Sequence, residues 1–169
     1  MSMWPILISI PVLALGLLFQ TAVISRMTLL SGTADLILLI LAAWGLQERV
    51  KHAWVWAGVA GLLVGFVSGV PGYVYLASYL AIVGVARLLT RRVWQAPLLA
   101  MFSVSLIGTL VLHLTTFVVL VLLQVPLPLG NSFAQIILPS ILLNLLFAIP
   151  VLSLMRDLAN RLFPAEVEL

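Results

Sequence analysis

The sequence contains no cysteine and very little charge, since only 8% of its residues are Asp, Glu, Lys or Arg. The lack of cysteine excludes disulfide bonds and thiolate metal sites. No charged residue occurs in the ranges 1–25, 52–86 and 93–155. With 64% hydrophobic residues, a chain of this size cannot stay soluble as one small globule. The composition therefore predicts an integral membrane protein.

The sequence also lacks the groups of residues that enzymes and metalloproteins need. No two carboxylates are spaced for acid–base catalysis, and the serines and threonines of the apolar runs have no neighbouring base. The two histidines, His52 and His113, are far apart, and neither GxxxxGK[ST] nor GxGxxG occurs. We therefore predict a protein that is not an enzyme and that needs no metal and no cofactor.

What the sequence does contain is a series of long apolar runs. A helix needs about 20 apolar residues to cross about 30 Å of hydrocarbon. The runs predict an all-α bundle, a single transmembrane domain over 1–169, with six spans at approximately 4–24, 33–47, 54–70, 73–89, 97–125 and 133–155. Leucines at every fourth position predict a short amphipathic tail helix over 154–163. The first run lacks a basic n-region and a cleavage site, so we expect a retained helix.

Basic residues in the gaps between the runs predict the orientation. If the N-terminus is inside, the cytoplasmic gaps hold Arg49, Lys51, Arg87, Arg91, Arg92, Arg156 and Arg161. The outer loops hold only Arg26, and such a bias in short loops predicts that both termini are cytoplasmic. The same orientation predicts that the five tryptophans lie at the inner interface: Trp4, Trp44, Trp54, Trp56 and Trp94. Since the basic residues flank spans, we expect the lipid bilayer, and not nucleic acid, as their partner.

Glycines recur at every third or fourth position of the third run, at Gly58, Gly61, Gly65 and Gly69. Glycines at this spacing form a groove that lets another helix approach closely. The groove either packs against a span of the same chain or receives the transmembrane helix of a partner, and the sequence leaves both interpretations open.

Asp35 is the acidic residue nearest to the interior of a span, where burial of a carboxylate is costly. In the predicted orientation it lies at the N-terminus of the second span. An aspartate there accepts hydrogen bonds from free backbone N–H groups and favours the positive end of the helix dipole. Asp35 is therefore interpreted either as a helix cap or as a polar contact to Arg26 or to a partner.

Polar residues at helical spacing form a stripe within the last two apolar runs. The stripe comprises Ser105, Thr109, His113 and Thr116 of the fifth run, with Ser140 and Asn144 of the sixth. Such stripes face other helices or a cavity and not lipid. His113 is interpreted either as a hydrogen-bonded packing residue or as part of a ligand pocket or proton relay. Packing is favoured because its span holds no acidic residue.

Several segments, in this order along the chain, resemble the family of the bacterial rod shape-determining protein MreD. They are Gln20-Thr21, Gly32, the residues 34–39 (ADLILL), 61–69 (GLLVGFVSG) and 139–144, and Pro150-Val151. The chain departs from the family at Ala34, where proline is usual, and at Pro71-Gly72-Tyr73, where an acidic residue is common. The positions that carry over from the family are Asp35, Gly65, Phe66, Gly69 and Asn144.

The resemblance implies a non-enzymatic scaffold of the cell-elongation complex in the bacterial cytoplasmic membrane. Its implied partners are an MreC-like bitopic protein, MreB filaments, a SEDS-type glycan polymerase and a penicillin-binding transpeptidase, which together build peptidoglycan. Together with the glycine groove, the resemblance predicts that partner helices dock on Gly58, Gly61, Gly65, Phe66, Gly69, Asp35 and Asn144.

An alternative function comes from the structural similarity of that family to the substrate-binding S-components of ECF vitamin transporters. In such a protein the fifth and sixth spans and the outer loops enclose a vitamin-like ligand. An ion-coupled carrier is disfavoured, because acids and bases are scarce within the apolar runs.

Overall fold

The computed structural model describes residues 7–90, 96–126 and 133–164, and this part of the chain is helical. It contains six α-helices: α1 (Ser9–Ala22), α2 (Leu36–Gly45), α3 (Ala53–Val67), α4 (Gly72–Thr90), α5 (Pro97–Leu122) and α6 (Leu138–Leu162). A 3₁₀ turn, Ile24–Arg26, follows α1, and a π-helical turn, Phe133–Ile137, precedes α6. Each predicted apolar segment therefore contains a helix, which confirms the all-α class.

Four helical stretches in the described part of the chain are long and apolar enough to cross a membrane. They are Ser9–Arg26, Gly72–Thr90, Pro97–Leu122 and Ala134–Leu162. The protein is therefore a membrane protein. The second and third predicted spans, 33–47 and 54–70, form shorter helices of 10 and 15 residues. At about 1.5 Å per residue, α2 is only about 15 Å long.

The short helix α2 lies at the centre of the bundle. It packs against α1, α3, α4, α5 and α6. Every residue of the range 37–45 is buried, as expected for a helix that is hydrophobic on all sides. Because other helices surround α2, its length does not have to match the thickness of the bilayer. The apolar run 33–47 extends beyond both ends of α2 and therefore predicted a longer span.

Two tryptophans belong to this core. The rings of Trp44 on α2 and Trp56 on α3 stack with their centroids 4.2 Å apart, and both side chains are fully buried. Both rings therefore pack against other helices of the chain, and the interfacial depth predicted for them stays a prediction. Trp54 is half exposed, while Trp4 and Trp94 lie outside the described residues.

Helices α3 and α4 form a close antiparallel pair, joined by the short connection 68–71. A Cβ atom added to Gly61 would lie 2.6 Å from the Cα atom of Leu76, and one added to Gly65 would lie 2.8 Å from the Cα atom of Gly72. The two glycines thus bring α3 and α4 of the same chain together, so the groove at Gly61 and Gly65 is filled internally. Gly58 and Gly69 face open space instead.

The tail does not form a separate helix. Residues 154–162 continue α6 without a break, so the predicted amphipathic tail helix is wrong as an independent element. The continuous helix turns Met155 and Ala159 toward the core, whereas Leu154 is 68% exposed. The helix persists because this inward face still has a core to pack against.

Basic residues gather at one end of the bundle, opposite the N-terminus of α2. The Arg87 guanidinium donates hydrogen bonds to the backbone carbonyls of Gln47 and Val50, and Arg49 donates to the carbonyl of Phe163 over 3.4 Å. Arg156 lines the same cleft as Arg49. Arg91 and Arg92 lie outside the described residues. Which side of the membrane this end faces stays a prediction.

Two alanine substitutions on α3 test whether its glycines serve packing within the chain. We expect Gly61→Ala to lower the free energy of unfolding by about 1–3 kcal/mol, because the new methyl group meets the backbone of α4. Gly58→Ala, the matched control in open space, should be neutral or stabilising by about 0.5–1 kcal/mol. Thermal unfolding in detergent measures both, and equal effects would contradict the assigned packing.

Candidate functional site

The candidate site begins at the N-terminus of α2, which Asp35 caps. Its backbone is extended, with φ at −109°, and its Oδ1 atom accepts a hydrogen bond of 2.9 Å from the N–H of Leu38. This carboxylate satisfies a backbone donor that the helix leaves free and lies at the positive end of the helix dipole. The capping interpretation of Asp35 is therefore confirmed.

The side chain of Gln20, on α1, binds the backbone on both sides of Asp35. Its Nε2 atom donates to the carbonyl of Ala34 over 2.9 Å, and its Oε1 atom accepts from the N–H of Leu36 over 2.6 Å. Backbone groups of an extended segment among apolar helices are costly if unpaired. Gln20 removes that cost and ties α1 to the start of α2.

Asn144, on α6, continues the network across the bundle. Its Oδ1 atom accepts from the N–H of Asp35 over 2.7 Å, and its Nδ2 atom donates to the Thr109 hydroxyl over 2.8 Å. Thr109 in turn donates to the carbonyl of Ser105 over 2.7 Å. The polar stripes predicted on α5 and α6 thus face one another inside the bundle, and α2 completes the contact.

The loop before α2 rests on the first turns of α6. The N–H of Thr33 donates to the Ser140 hydroxyl over 3.2 Å, and the N–H of Ser31 donates to the carbonyl of Gln135 over 3.0 Å. A Cβ atom added to Gly32 would lie 2.7 Å from the carbonyl oxygen of Ile136 and from the backbone nitrogen of Ser140. Only glycine fits this approach. We name the group Gln20, Gly32, Asp35, Thr109, Ser140 and Asn144 the polar junction.

Beside the polar junction lies a cavity of about 350 Å³. Its polar lining comprises Gln20, Thr33, Asp35, Tyr75, Tyr79, His113 and Thr116. Apolar side chains from α1, α3 and α5, among them Leu17, Val64 and Phe117, complete the wall. Asp35 is the charged residue of this lining, and its Oδ2 atom accepts a long hydrogen bond of 3.4 Å from Tyr79. The volume is in the range of small-molecule sites.

His113 belongs both to the polar network and to the cavity. Its Nδ1 atom lies 2.8 Å from the carbonyl oxygen of Thr109, one turn earlier on α5. Because a carbonyl oxygen can only accept, Nδ1 carries the proton of this hydrogen bond. The hydrogen bond agrees with the packing interpretation of His113, and the same ring lines the cavity, while its role in a ligand pocket stays a prediction.

The predicted docking residues do not form one surface. Asp35 and Asn144 lie in the polar junction, while Gly61 and Gly65 lie between α3 and α4. Phe66 is 88% exposed, Gly58 faces open space on the same helix, and Gly69 faces open space beyond the end of that helix. Ser105 is buried and has no hydrogen-bond partner for its hydroxyl in the described part of the chain.

Three residues of the site carried too weak a sequence signal to be assigned a role. The family resemblance is the one prediction that includes Gln20, and its two hydrogen bonds join it to residues 14 and 16 positions away. Tyr75 and Tyr79 are one turn apart on α4, with ring centroids 5.9 Å apart. The signal that could have identified these residues is chemical. The amide of Gln20 and the hydroxyls of Tyr75 and Tyr79 lie within apolar runs, where polar groups require hydrogen-bond partners.

The cavity and the polar junction offer hydrogen-bonding groups and one carboxylate, that of Asp35. No group of three or more His, Cys, Asp or Glu side chains in the ranges 7–90, 96–126 and 133–164 is placed to hold a metal ion. The arrangement is suited to holding helices together and to binding a polar group inside the cavity.

The junction amide is tested by Asn144→Leu, a substitution of similar size. We expect the free energy of unfolding to fall by about 1–3 kcal/mol, because the N–H of Asp35 and the hydroxyl of Thr109 both lose their partner. Asn160→Leu, on the exposed side of the same helix, is the control. Chemical denaturation in mild detergent measures the difference, and equal stability of the two variants would remove Asn144 from the network.

The cap is tested by two substitutions of Asp35. Asp35→Asn should leave the fold within about 1 kcal/mol of the parent, because asparagine also accepts the hydrogen bond from Leu38. Asp35→Ala should cost about 1–2 kcal/mol, because alanine cannot cap. Thermal unfolding distinguishes the two, and equal loss with both would show that the charge, and not the cap, stabilises this end of α2.

Comparisons with protein-family models, with curated proteins and with solved structures gave no match to this chain. What its own residues establish is a helical membrane protein in which α2 is buried among five other helices. A network of side chains at the start of α2 adjoins a cavity that contains a single carboxylate.

Proposed function

We propose that the chain is a non-enzymatic scaffold of the bacterial cell-elongation complex, similar to the MreD family. In this proposal it lies in the cytoplasmic membrane as six apolar segments with both termini inside. It binds the transmembrane helix of an MreC-like partner and helps to organise the peptidoglycan-building enzymes, a SEDS-type polymerase and a penicillin-binding transpeptidase, together with MreB filaments.

The observation that carries the proposal is the convergence of residues on which the family resemblance depends. Gln20, Gly32, Asp35 and Asn144 come from separate parts of the sequence, yet they meet in the polar junction. The side chains of Gln20 and Asn144 bind backbone groups of residues 34–36, Asp35 caps α2, and Gly32 admits the backbone of Ile136 and Ser140. The resemblance depends on the order of these residues along the chain. Their contacts at one place in the fold give them a common structural role, which supports the resemblance.

The polar junction suits a scaffold because it fixes helices relative to one another. It joins α1, α2, α5 and α6 through hydrogen bonds of 2.6–3.2 Å. A body that is rigid in this way can hold partners in register without performing chemistry.

The partner surface that we propose is the outward face of α3. Gly58, Leu62 and Phe66 follow at four-residue spacing and therefore share one face of the helix. A Cβ atom at Gly58 would meet nothing within 4 Å, and Leu62 and Phe66 are 58% and 88% exposed. A partner helix can approach closely at the glycine, between large apolar side chains. Gly61 and Gly65 are no longer part of this surface, because α4 covers them.

Co-purification tests the scaffold function. The chain is co-expressed with the products of its neighbouring genes, purified in mild detergent and analysed by native mass spectrometry. We expect stoichiometric recovery of a single-span protein with a coiled-coil segment. Depletion of the chain in a rod-shaped host should make the cells round. Recovery without such a partner, together with a bound small molecule, would contradict the proposal.

A pair of leucine substitutions tests the surface. Gly58→Leu should reduce partner recovery by about tenfold, because the side chain fills the point of closest approach. Ser153→Leu places the same side chain on an exposed position of α6 and should leave recovery unchanged. If Gly58→Leu retains the partner, the face of α3 is not the docking surface.

The cavity favours one second candidate, a small-ligand-binding membrane protein similar to an ECF S-component. Its volume and its polar lining suit a small molecule. Such proteins dock their transport partner through small residues of the first span. Here Gly16 of α1 already faces the same chain, because a Cβ atom there would lie 2.8 Å from the Cδ1 atom of Ile40. The native mass spectrum separates the candidates, since the second predicts a bound vitamin and no single-span partner.

A further inference from the structure

A carboxylate with unused acceptor capacity, that of Asp35, lines the cavity beside the polar junction. The Asp35 carboxylate receives the N–H of Leu38 on Oδ1, and on Oδ2 it receives the Tyr79 hydroxyl at a long 3.4 Å. The N–H of Ile37 adds a third hydrogen bond, and because a carboxylate has about four acceptor positions, one position remains unused. The Gln20 amide uses its oxygen and one of its two N–H groups on the backbone of residues 34 and 36, so one N–H stays outside these hydrogen bonds.

His113 adds a second acceptor to the same wall. Its Nδ1–H donates to the carbonyl of Thr109, so in the neutral ring Nε2 carries the lone pair. The hydroxyl of Thr116 lies one turn further along α5 and also lines the cavity. The Asp35 carboxylate, the His113 imidazole and the Thr116 hydroxyl can each accept a hydrogen bond, so this lining suits a ligand that donates several.

The negative charge of the cavity lining favours a cationic ligand. Asp35 is the charged side chain of the lining, and a carboxylate among apolar helices is costly unless it is paired. Tyr75, Tyr79 and Phe117 also line the cavity, and aromatic rings attract cations. The remaining lining, which includes Leu17, Val64 and Leu120, suits an apolar chain.

We propose that this cavity binds a primary ammonium group that is attached to a short apolar body. The ammonium donates to Asp35, to Nε2 of His113 and to the Thr116 hydroxyl, and the apolar body contacts the aliphatic wall. The group comes either from a free amine or from the ethanolamine headgroup of a phospholipid. The proposal does not depend on partner docking by α3, so each can fail without the other.

The first experiment measures binding of n-hexylamine to the purified full-length chain by isothermal titration calorimetry. This amine is protonated near pH 7, as a lysine side chain is, and n-hexanol is the uncharged probe of the same length. We expect n-hexylamine to bind at least about tenfold more tightly than n-hexanol, since a single buried charge pair is worth more than a tenfold change in affinity. Equal affinities, or no binding of n-hexylamine, would count against a site for free amines.

Asp35→Asn is the decisive variant, because it keeps the cap of α2 and removes only the charge. We expect it to abolish the preference for n-hexylamine over n-hexanol. Asp157→Asn makes the same chemical change at an exposed position of α6 and should leave the preference intact. A preference that survives Asp35→Asn overturns the proposal, and the thermal unfolding of each variant confirms that it is folded.

The second experiment distinguishes the two sources of the ammonium group. The chain is reconstituted in nanodiscs of phosphatidylethanolamine with phosphatidylglycerol and released in a mass spectrometer, which counts the retained lipids. Retention of phosphatidylethanolamine that Asp35→Asn abolishes identifies the headgroup as the ligand. Binding of n-hexylamine without such retention identifies a free amine. If neither probe shows a dependence on Asp35, the cavity is not an ammonium site.

Discussion

The structure depends on the need to pair the backbone of the extended segment that enters α2. This segment lies among apolar helices, where unpaired N–H and C=O groups cost several kcal/mol each. Gln20, Asn144 and Ser140 supply the partners from α1 and α6. The positions of three helices thus follow from one backbone requirement, because each side chain reaches its target only when its helix is correctly placed.

The central position of α2 follows from the same requirement. Once its first turn is tied to α1 and α6, its remaining residues pack against every other helix. The stacked rings of Trp44 and Trp56 continue this core toward the basic end of the bundle. The two ends of α2 therefore differ in chemistry. One end carries a capped carboxylate and a cavity, and the other is held near the carbonyls that Arg87 binds.

Some glycines of this protein pack against another part of the same chain, whereas others face open space. Gly32, Gly61 and Gly65 each admit a backbone of the same chain. Gly58 remains open beside exposed apolar side chains, which is the reason for proposing a partner at that face. The polar residues also fall into two groups, those that bind the backbone and those that line the cavity. Most of the polar junction serves the backbone, whereas Asp35, His113 and Thr116 also present groups to the cavity.

Much of the fold was predictable because its signals are local. Apolar runs indicate a membrane protein, Pro71-Gly72 indicates a turn between two helices, and an aspartate before an apolar run indicates a helix cap. The helical spacing of Ser105, Thr109 and His113 also predicted correctly that these residues face inward. Within the site, Asp35, Asn144, Ser140 and the α5 stripe were all identified from the sequence.

The tertiary structure alone decided which residues meet. The ten-residue length of α2, the internal use of Gly61, the burial of Trp44 and the dual role of Gln20 depend on helices that are distant in sequence. Local patterns state that a residue needs a partner, but not which one, because the partner is set by how the helices pack. The cavity at Asp35 has the same origin, since its wall exists only once α1, α3, α4 and α5 surround the start of α2.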